Sequence, residues 1–187
     1  MRIVAGRFKG RPLAAPRGDR TRPTSDKARE ALFNVLTHAE WAPELDGARI
    51  IDLFAGSGGL GFEAISRGGA FCLFVDIDAG ARGAIRDNIE AFQLFGNTRL
   101  HRRSATDLGE KPAKLGNPFD LIFLDPPYGK DLAPPALAGL IEGHWVTEDA
   151  LAALEVAANE AVPDFPGWSQ VDERIWGAAK VVFLKRG

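Results

Sequence analysis

Residues 49–54, Arg-Ile-Ile-Asp-Leu-Phe, form an apolar strand pattern that breaks into Gly56-Ser57-Gly58-Gly59 and resumes as a helical pattern through about Ser66. This strand–glycine turn–helix junction restricts the fold more than any other stretch. A strand buried along its length and feeding a helix belongs to a parallel sheet, whose neighbouring strands need a crossover between them. The pattern then repeats. Phe71–Val75 reads as a second strand, 79–95 as a helix with Ile85, Ile89 and Phe92 inward, Thr98–His101 as a short third strand, and Phe119–Leu124 as a strong fourth. Residues 132–143 suit a helix, because Pro134 and Pro135 fall in its first turn, where the missing N–H groups are not needed. The stretch 151–157 reads as a weak fifth strand, although its alanines also suit a helix. Strands at 169–175 and 179–184 flank Trp176-Gly177 as a closing hairpin. The expected fold is α/β: a doubly wound, mostly parallel sheet with an antiparallel C-terminal hairpin at one edge.

A chain of 187 residues fits one such domain and a small appendage. The appendage is residues 1–22, rich in Arg, Lys, Gly and Pro; residues 23–187 form the domain. Ile3-Val4 and Phe8, set apart by Gly6 and Gly10, suit a small hairpin and equally a disordered arm. A helix begins near Thr24-Ser25-Asp26, with Ala28, Ala31, Leu32, Val35 and Leu36 on one face. Net charge is −2, which argues against indiscriminate nucleic-acid binding, but it is unevenly placed. Residues 1–36 hold nine Lys/Arg and three Asp/Glu, and the remainder holds 14 and 22. A basic end on an acidic body suggests a polyanion contact confined to that end. No apolar run approaches the roughly 18–20 residues of a membrane span, and no signal-peptide pattern opens the chain, so a cytoplasmic protein is expected. Cys72 is alone in the chain, inside an apolar run, and His38, His101 and His144 have no metal-ligand spacing, so no metal site is expected. The four tryptophans, Trp41, Trp145, Trp168 and Trp176, match no motif and read as packing residues.

Gly56, Gly58 and Gly61 satisfy Gly-x-Gly-x-x-Gly, and Asp76 ends the next strand 20 residues after Gly56. That is the dinucleotide-binding fingerprint as written, so the loop by itself admits a nicotinamide or flavin dinucleotide as well as S-adenosylmethionine. Charge separates the two. A dinucleotide sets a pyrophosphate against the loop, and Asp52 would repel it. S-adenosylmethionine carries an ammonium, which suits Asp52, and a carboxylate, which suits backbone N–H groups of Ala55, Gly56, Ser57 and Gly58. Asp76 suits a ribose diol under either reading. Ile77, next in the chain, is counted with the cofactor set, and Asp78 suits the cap of the following helix.

The second motif is Asp125-Pro126-Pro127-Tyr128, directly after the fourth strand. In an open α/β sheet ligands bind at the carboxyl ends of the strands. Pro126 and Pro127 stiffen the backbone and remove two donors. Their carbonyls, and an ionised Asp125, then only accept. An amino group offers two N–H donors, so two acceptors can hold it with its lone pair aimed at a methyl group. Tyr128 offers a flat face for a base, and stacking of this kind is worth about 1–3 kcal/mol per base. An exocyclic amino group of a nucleobase is the substrate these residues favour.

These motifs, with Arg2-Ile-Val-Ala-Gly-Arg-Phe-Lys-Gly-Arg11 and Thr21-Arg-Pro-Thr24-Ser-Asp-Lys-Ala-Arg29-Glu-Ala-Leu-Phe-Asn34, resemble the bacterial 16S rRNA guanine-966 N2-methyltransferases. The resemblance spans nearly the whole chain, most firmly 1–36, 49–78 and 119–128. It implies the seven-stranded class I methyltransferase fold, S-adenosylmethionine as cofactor, and 16S rRNA in the small ribosomal subunit or its assembly intermediate as partner. It also implies that the N-terminal hairpin contacts RNA, through Arg2, Arg7, Lys9, Arg11 and Arg22, and that Thr24 lies near the active site. One departure stands out. Family members carry an acidic residue or an amide after the third strand, to reach the adenine amino group. The matching position here is Ala105. Its backbone can still meet the adenine ring, and Asp107 either replaces the missing side chain or is simply exposed. A monomer is expected. The alternatives are another amino methyltransferase (DNA or RNA adenine N6, or protein glutamine), a dinucleotide-dependent oxidoreductase, and a ribosome-assembly protein that only binds.

Overall fold

The computed structural model describes residues 1–17 and 24–187. Helix α1 (Asp26–His38) starts at Ser25, whose side chain accepts the Ala28 N–H. Strand β1 (Arg49–Leu53) leads into α2 (Gly59–Ser66), β2 (Phe71–Val75) into α3 (Ala79–Phe92), and β3 (Thr98–His101) into one 3-10 turn at Ala113–Leu115. Strand β4 (Phe119–Leu124) leads into α4 (Ala133–Glu142), and β5 (Val146–Ala157), β6 (Trp168–Trp176) and β7 (Ala179–Arg186) close the chain.

One seven-stranded sheet runs β3-β2-β1-β4-β5-β7-β6, parallel through β5 and antiparallel for β7 and β6. The alternation of strand side chains divides the core in two. Ile50, Cys72, Phe74, Leu121, Phe123 and Phe183 face α1, α2 and α3. Ile51, Leu73, Ile122, Leu124 and Leu154 face the other way, where Leu137 and Leu140 of α4 cover them. The parallel strands are therefore apolar on successive positions, as the sequence reads.

Two boundaries moved most. Helix α3 stops at Phe92, because Gln93 takes a left-handed conformation (φ 57°) and ends the ladder. Strand β5 begins at Val146, before the run read from sequence, since Val146 pairs with Phe119 across a register shift. That settles the alanine-rich stretch as strand: Ala152 and Ala153 lie between β4 and β7, where small side chains suit both covered faces. The tryptophans pack. Trp145 and Trp168 are buried, and Trp41 lies 4.9 Å from Phe183. Cys72 is buried between Ile50 and Phe74 in the same core. Among the described residues no helix is long and apolar enough to cross a membrane.

The basic N-terminal segment is a hairpin. Ile3 N–H donates to Arg11 O and Leu13 N–H to Met1 O. Ile3 and Leu13 enter the core beside α2 and α3. Gly6 (φ 85°) sits so close to α2 that a Cβ there would be 2.0 Å from the Ser66 carbonyl oxygen.

Candidate active site

Strand order reverses between β1 and β4, which leave the centre of the sheet in opposite directions. Leu53 and Leu124 pair as the last residues of these strands. The glycine loop and the Asp-Pro-Pro-Tyr turn are therefore neighbours across the crevice where α/β sheets bind ligands. Both open onto one cavity of about 940 Å³, near the upper end of small-molecule sites.

The glycine loop is shaped by contacts inside the fold. Phe54 (φ 57°) and Gly56 (φ 59°) turn the chain away from the strand. A Cβ at Gly61 would lie 2.5 Å from the Phe74 ring and 2.7 Å from Cys72 Sγ, so that glycine lets α2 lie against β2. The Gly61 N–H donates to Asp52 Oδ2 at 3.0 Å. Asp52 is buried, and burial, with Asp76 nearby, holds its carboxyl well above the usual range. Asp76 accepts Gly56 N–H at 2.9 Å and Asp78 N–H at 2.8 Å. Asp78 caps α3 through the Ala81 N–H, as its place in the sequence suggests.

Of the residues read as cofactor contacts, Asp52, Ala55, Gly56 and Ser57 line the cavity together. Asp76, Ile77, Ala105 and Thr24 line it as well. Ile77 is 65% exposed, an unusual state for an isoleucine on a cavity wall. Gly58 caps α2 behind the loop and does not line the cavity. Asp107 is exposed and outside the lining; its N–H closes a turn on Ser104 O.

Asp125, Pro126, Pro127 and Tyr128 all line the cavity. Burial, then Glu155 and Asp52, push the Asp125 carboxyl well above the usual range. Glu155, on β5, escaped the sequence reading. Its Oε1 accepts the Tyr128 hydroxyl at 3.1 Å and its Oε2 the Thr24 hydroxyl at 3.4 Å. A charge inside the apolar run Leu154-Glu155-Val156 was the signal available in the sequence.

A second missed pair ties the hairpin to the site. Arg29, on α1, is fully buried and also lines the cavity. Its Nε donates to Glu63 Oε1 at 3.1 Å, and Nη2 reaches Asp26 Oδ1 at 2.9 Å and the Arg2 carbonyl. Glu63 accepts the N–H groups of Val4 and Ala5 at 2.9 and 3.0 Å, and Arg67 Nε at 3.0 Å. Here too, a lone charge in an apolar helix, Phe62-Glu63-Ala64-Ile65, was the only clue.

Of the hairpin's basic side chains, Arg11 reaches the domain. Arg2 Nη1 donates to Gly10 O, and Arg11 Nη2 to Ala91 O with its guanidinium 4.7 Å from the Phe92 ring centre. Arg7 lies over Phe8, and Lys9 is exposed. Arg22 falls outside the described residues. Met1 and Arg17 line the cavity, as do Arg103 and Lys130. Among the described residues no cluster of three His, Cys, Asp or Glu side chains could hold a metal.

Residues 1–185 match the family described as conserved hypothetical protein 95. A Bacillus subtilis (strain 168) protein named as a candidate rRNA methyltransferase, YlbH, is 38% identical over 167 residues, 89% of this chain and 88% of that protein. The ribosomal RNA small subunit methyltransferase D of Escherichia coli (strain K12) is 33% identical over 178 residues, 95% of this chain and 85% of that protein. Among solved structures, an Escherichia coli protein described as a candidate methyltransferase, yhhF, aligns with a TM-score of 0.81 at 30% identity, covering 100% of this chain and 97% of that one.

Proposed function

The chain belongs to the family described as conserved hypothetical protein 95, and on that premise we propose that it methylates the N2 amino group of a guanine in small-subunit ribosomal RNA. One observation carries the reading. The glycine loop after β1 and Asp125–Tyr128 after β4 face a single cavity, so a cofactor methyl and a base amino group can meet there. A relative named for methylation of the small-subunit RNA supplies the substrate class. Guanine N2, in place of another amino group, rests on the N-terminal resemblance.

The residues suit S-adenosylmethionine. Asp52 is a buried carboxyl whose ionised form a ligand ammonium would stabilise, and Asp76 stands where a ribose diol can donate to it. An ionised Asp52 beside the loop disfavours a pyrophosphate, which argues against the dinucleotide alternative. Ile77 and Ala105 offer apolar and backbone surface for adenine. When bound, S-adenosylmethionine supplies an electrophilic methyl carbon on a sulfonium, which departs as the thioether of S-adenosylhomocysteine.

The chain's part is to hold the amine in line. Asp125 and the carbonyls of Pro126 and Pro127 accept its two N–H groups, and Tyr128 stacks on the extruded base. Alignment at near-attack distance supplies much of the gain. As the N–C bond forms and the C–S bond breaks, positive charge develops on nitrogen. Asp125 stabilises that charge, and its carboxylate, held above the usual range, takes the released proton. Arg2, Arg7, Lys9, Arg11 and Arg22 meet RNA phosphates, which set position and not base identity. Such a substrate places the enzyme in the cytoplasm.

Incubation with unmethylated small-subunit particles and labelled S-adenosylmethionine, followed by nucleoside mass spectrometry, tests this. N2-methylguanosine is the expected product. N6-methyladenosine, or label in protein, would replace the reading with the corresponding alternative. Asp125→Ala should abolish transfer and leave particle binding largely intact; if the unaltered protein binds particles without turnover, the binding-only alternative stands.

A further inference from the structure

The tetrapeptide explains how an amino group is held but not why guanine is chosen, since any nucleobase amine offers two N–H donors. Glu155 answers a different question. It lines the cavity from β5 together with Asp125, and its proximity helps to raise the Asp125 carboxyl. The hydroxyls of Tyr128 and Thr24 donate to its two oxygens, one each. Those donors fix the rotamer.

Two carboxyls lining one cavity suit a ligand that brings adjacent donors to both. Guanine does this: its N1–H and its N2 amino group are neighbours on one edge. Adenine presents a lone pair at N1, which a carboxylate repels. We propose that Glu155 is a specificity-determining residue of this site, its carboxylate accepting guanine N1–H while Asp125 and the two proline carbonyls hold the N2 amino group. The assignment rests on the guanine-N2 reading above. It makes Tyr128 both a stacking face and an anchor for Glu155, and it gives Thr24 a role on the substrate side of the cavity. A site built to receive a donor rejects a base without it strongly, because its own polar group is left unpaired.

The test separates N1–H from the nucleophile. Small-subunit particles are reconstituted with 16S rRNA carrying guanine or 2,6-diaminopurine at the nucleotide that the wild-type protein methylates. Both bases have the N2 amino group, and only guanine has N1–H. Wild-type protein is expected to favour guanine by at least about 100-fold in kcat/KM. Glu155→Gln, whose amide can donate to N1, is expected to lose activity on guanine and narrow that ratio to below about 10-fold. Its affinity for S-adenosylmethionine in calorimetry should stay near wild type. A wild-type ratio near one overturns the assignment without recourse to a variant. A Gln variant that loses equally on both bases also overturns it. Absence of N2-methylguanosine from the wild-type reaction instead overturns the underlying guanine reading, and the assignment with it.

Discussion

Asp125 and Asp52 are both kept above the ordinary carboxyl range by burial. Such a group contributes stability that is full below its unfolded value, about 3.9 for Asp, and lost as pH rises through the raised value in the folded protein. Asp125→Asn keeps an acceptor and removes this burden. It should melt higher than the parent near about pH 8, by about 2–4 °C per kcal/mol for a domain of this size, with the gap closing toward about pH 4. A lower melting temperature at the alkaline end would count against the electrostatic account. Asp52 makes a binding prediction. An ammonium placed against it lowers its pKa, so S-adenosylmethionine binding should release a proton and tighten as pH rises between the bound and free values. Calorimetry in two buffers of different ionisation enthalpy measures that release, which Asp52→Asn should remove.

Hairpin and domain meet at the Arg29–Glu63 pair. Removing one partner of a buried ion pair costs about 3–5 kcal/mol. Glu63→Ala also strips the acceptor from Val4 and Ala5 N–H and from Arg67. Hydrogen exchange should then speed at Val4 and Ala5 well before the sheet amides. Unchanged exchange at Val4 and Ala5 in Glu63→Ala would show that the hairpin is held by Ile3 and Leu13 instead. Helix α2 has its own constraint at Gly61. Gly61→Ala forces α2 away from β2 and strains the Asp52–Gly61 hydrogen bond, at about 1–3 kcal/mol by analogy with overpacking. Weaker cofactor binding with a single cooperative melt is the expected result.

At the scale of the whole molecule, charge is divided between a basic N-terminal region and an acidic remainder. If the hairpin meets phosphates, replacing Arg7, Lys9 and Arg11 by Ala should weaken particle binding. It should flatten the slope of log affinity against log salt by about 0.7 per lost contact on single-stranded RNA. Binding of S-adenosylmethionine should not change. An unaltered slope would assign these residues to the protein's own surface, where Arg11 already engages Ala91 O and Phe92.

The sequence by itself determined every strand but β5, which it left open between strand and helix, together with the mostly parallel succession and the two site loops. Each is written in local signals: apolar runs, glycines and paired prolines whose backbone consequences need no distant partner. It also placed Asp125–Tyr128 and Asp52–Gly58 correctly at strand ends. Only the tertiary structure decided that Arg29 and Glu155, far apart in the chain, border the same cavity. It likewise decided that the basic segment folds onto α2 and that Asp107 points outside the lining. The reason is physical. A buried charge is recognisable in sequence only as an interruption of an apolar pattern, and which opposite charge or hydroxyl meets it depends on how the sheet brings distant strands and helices together.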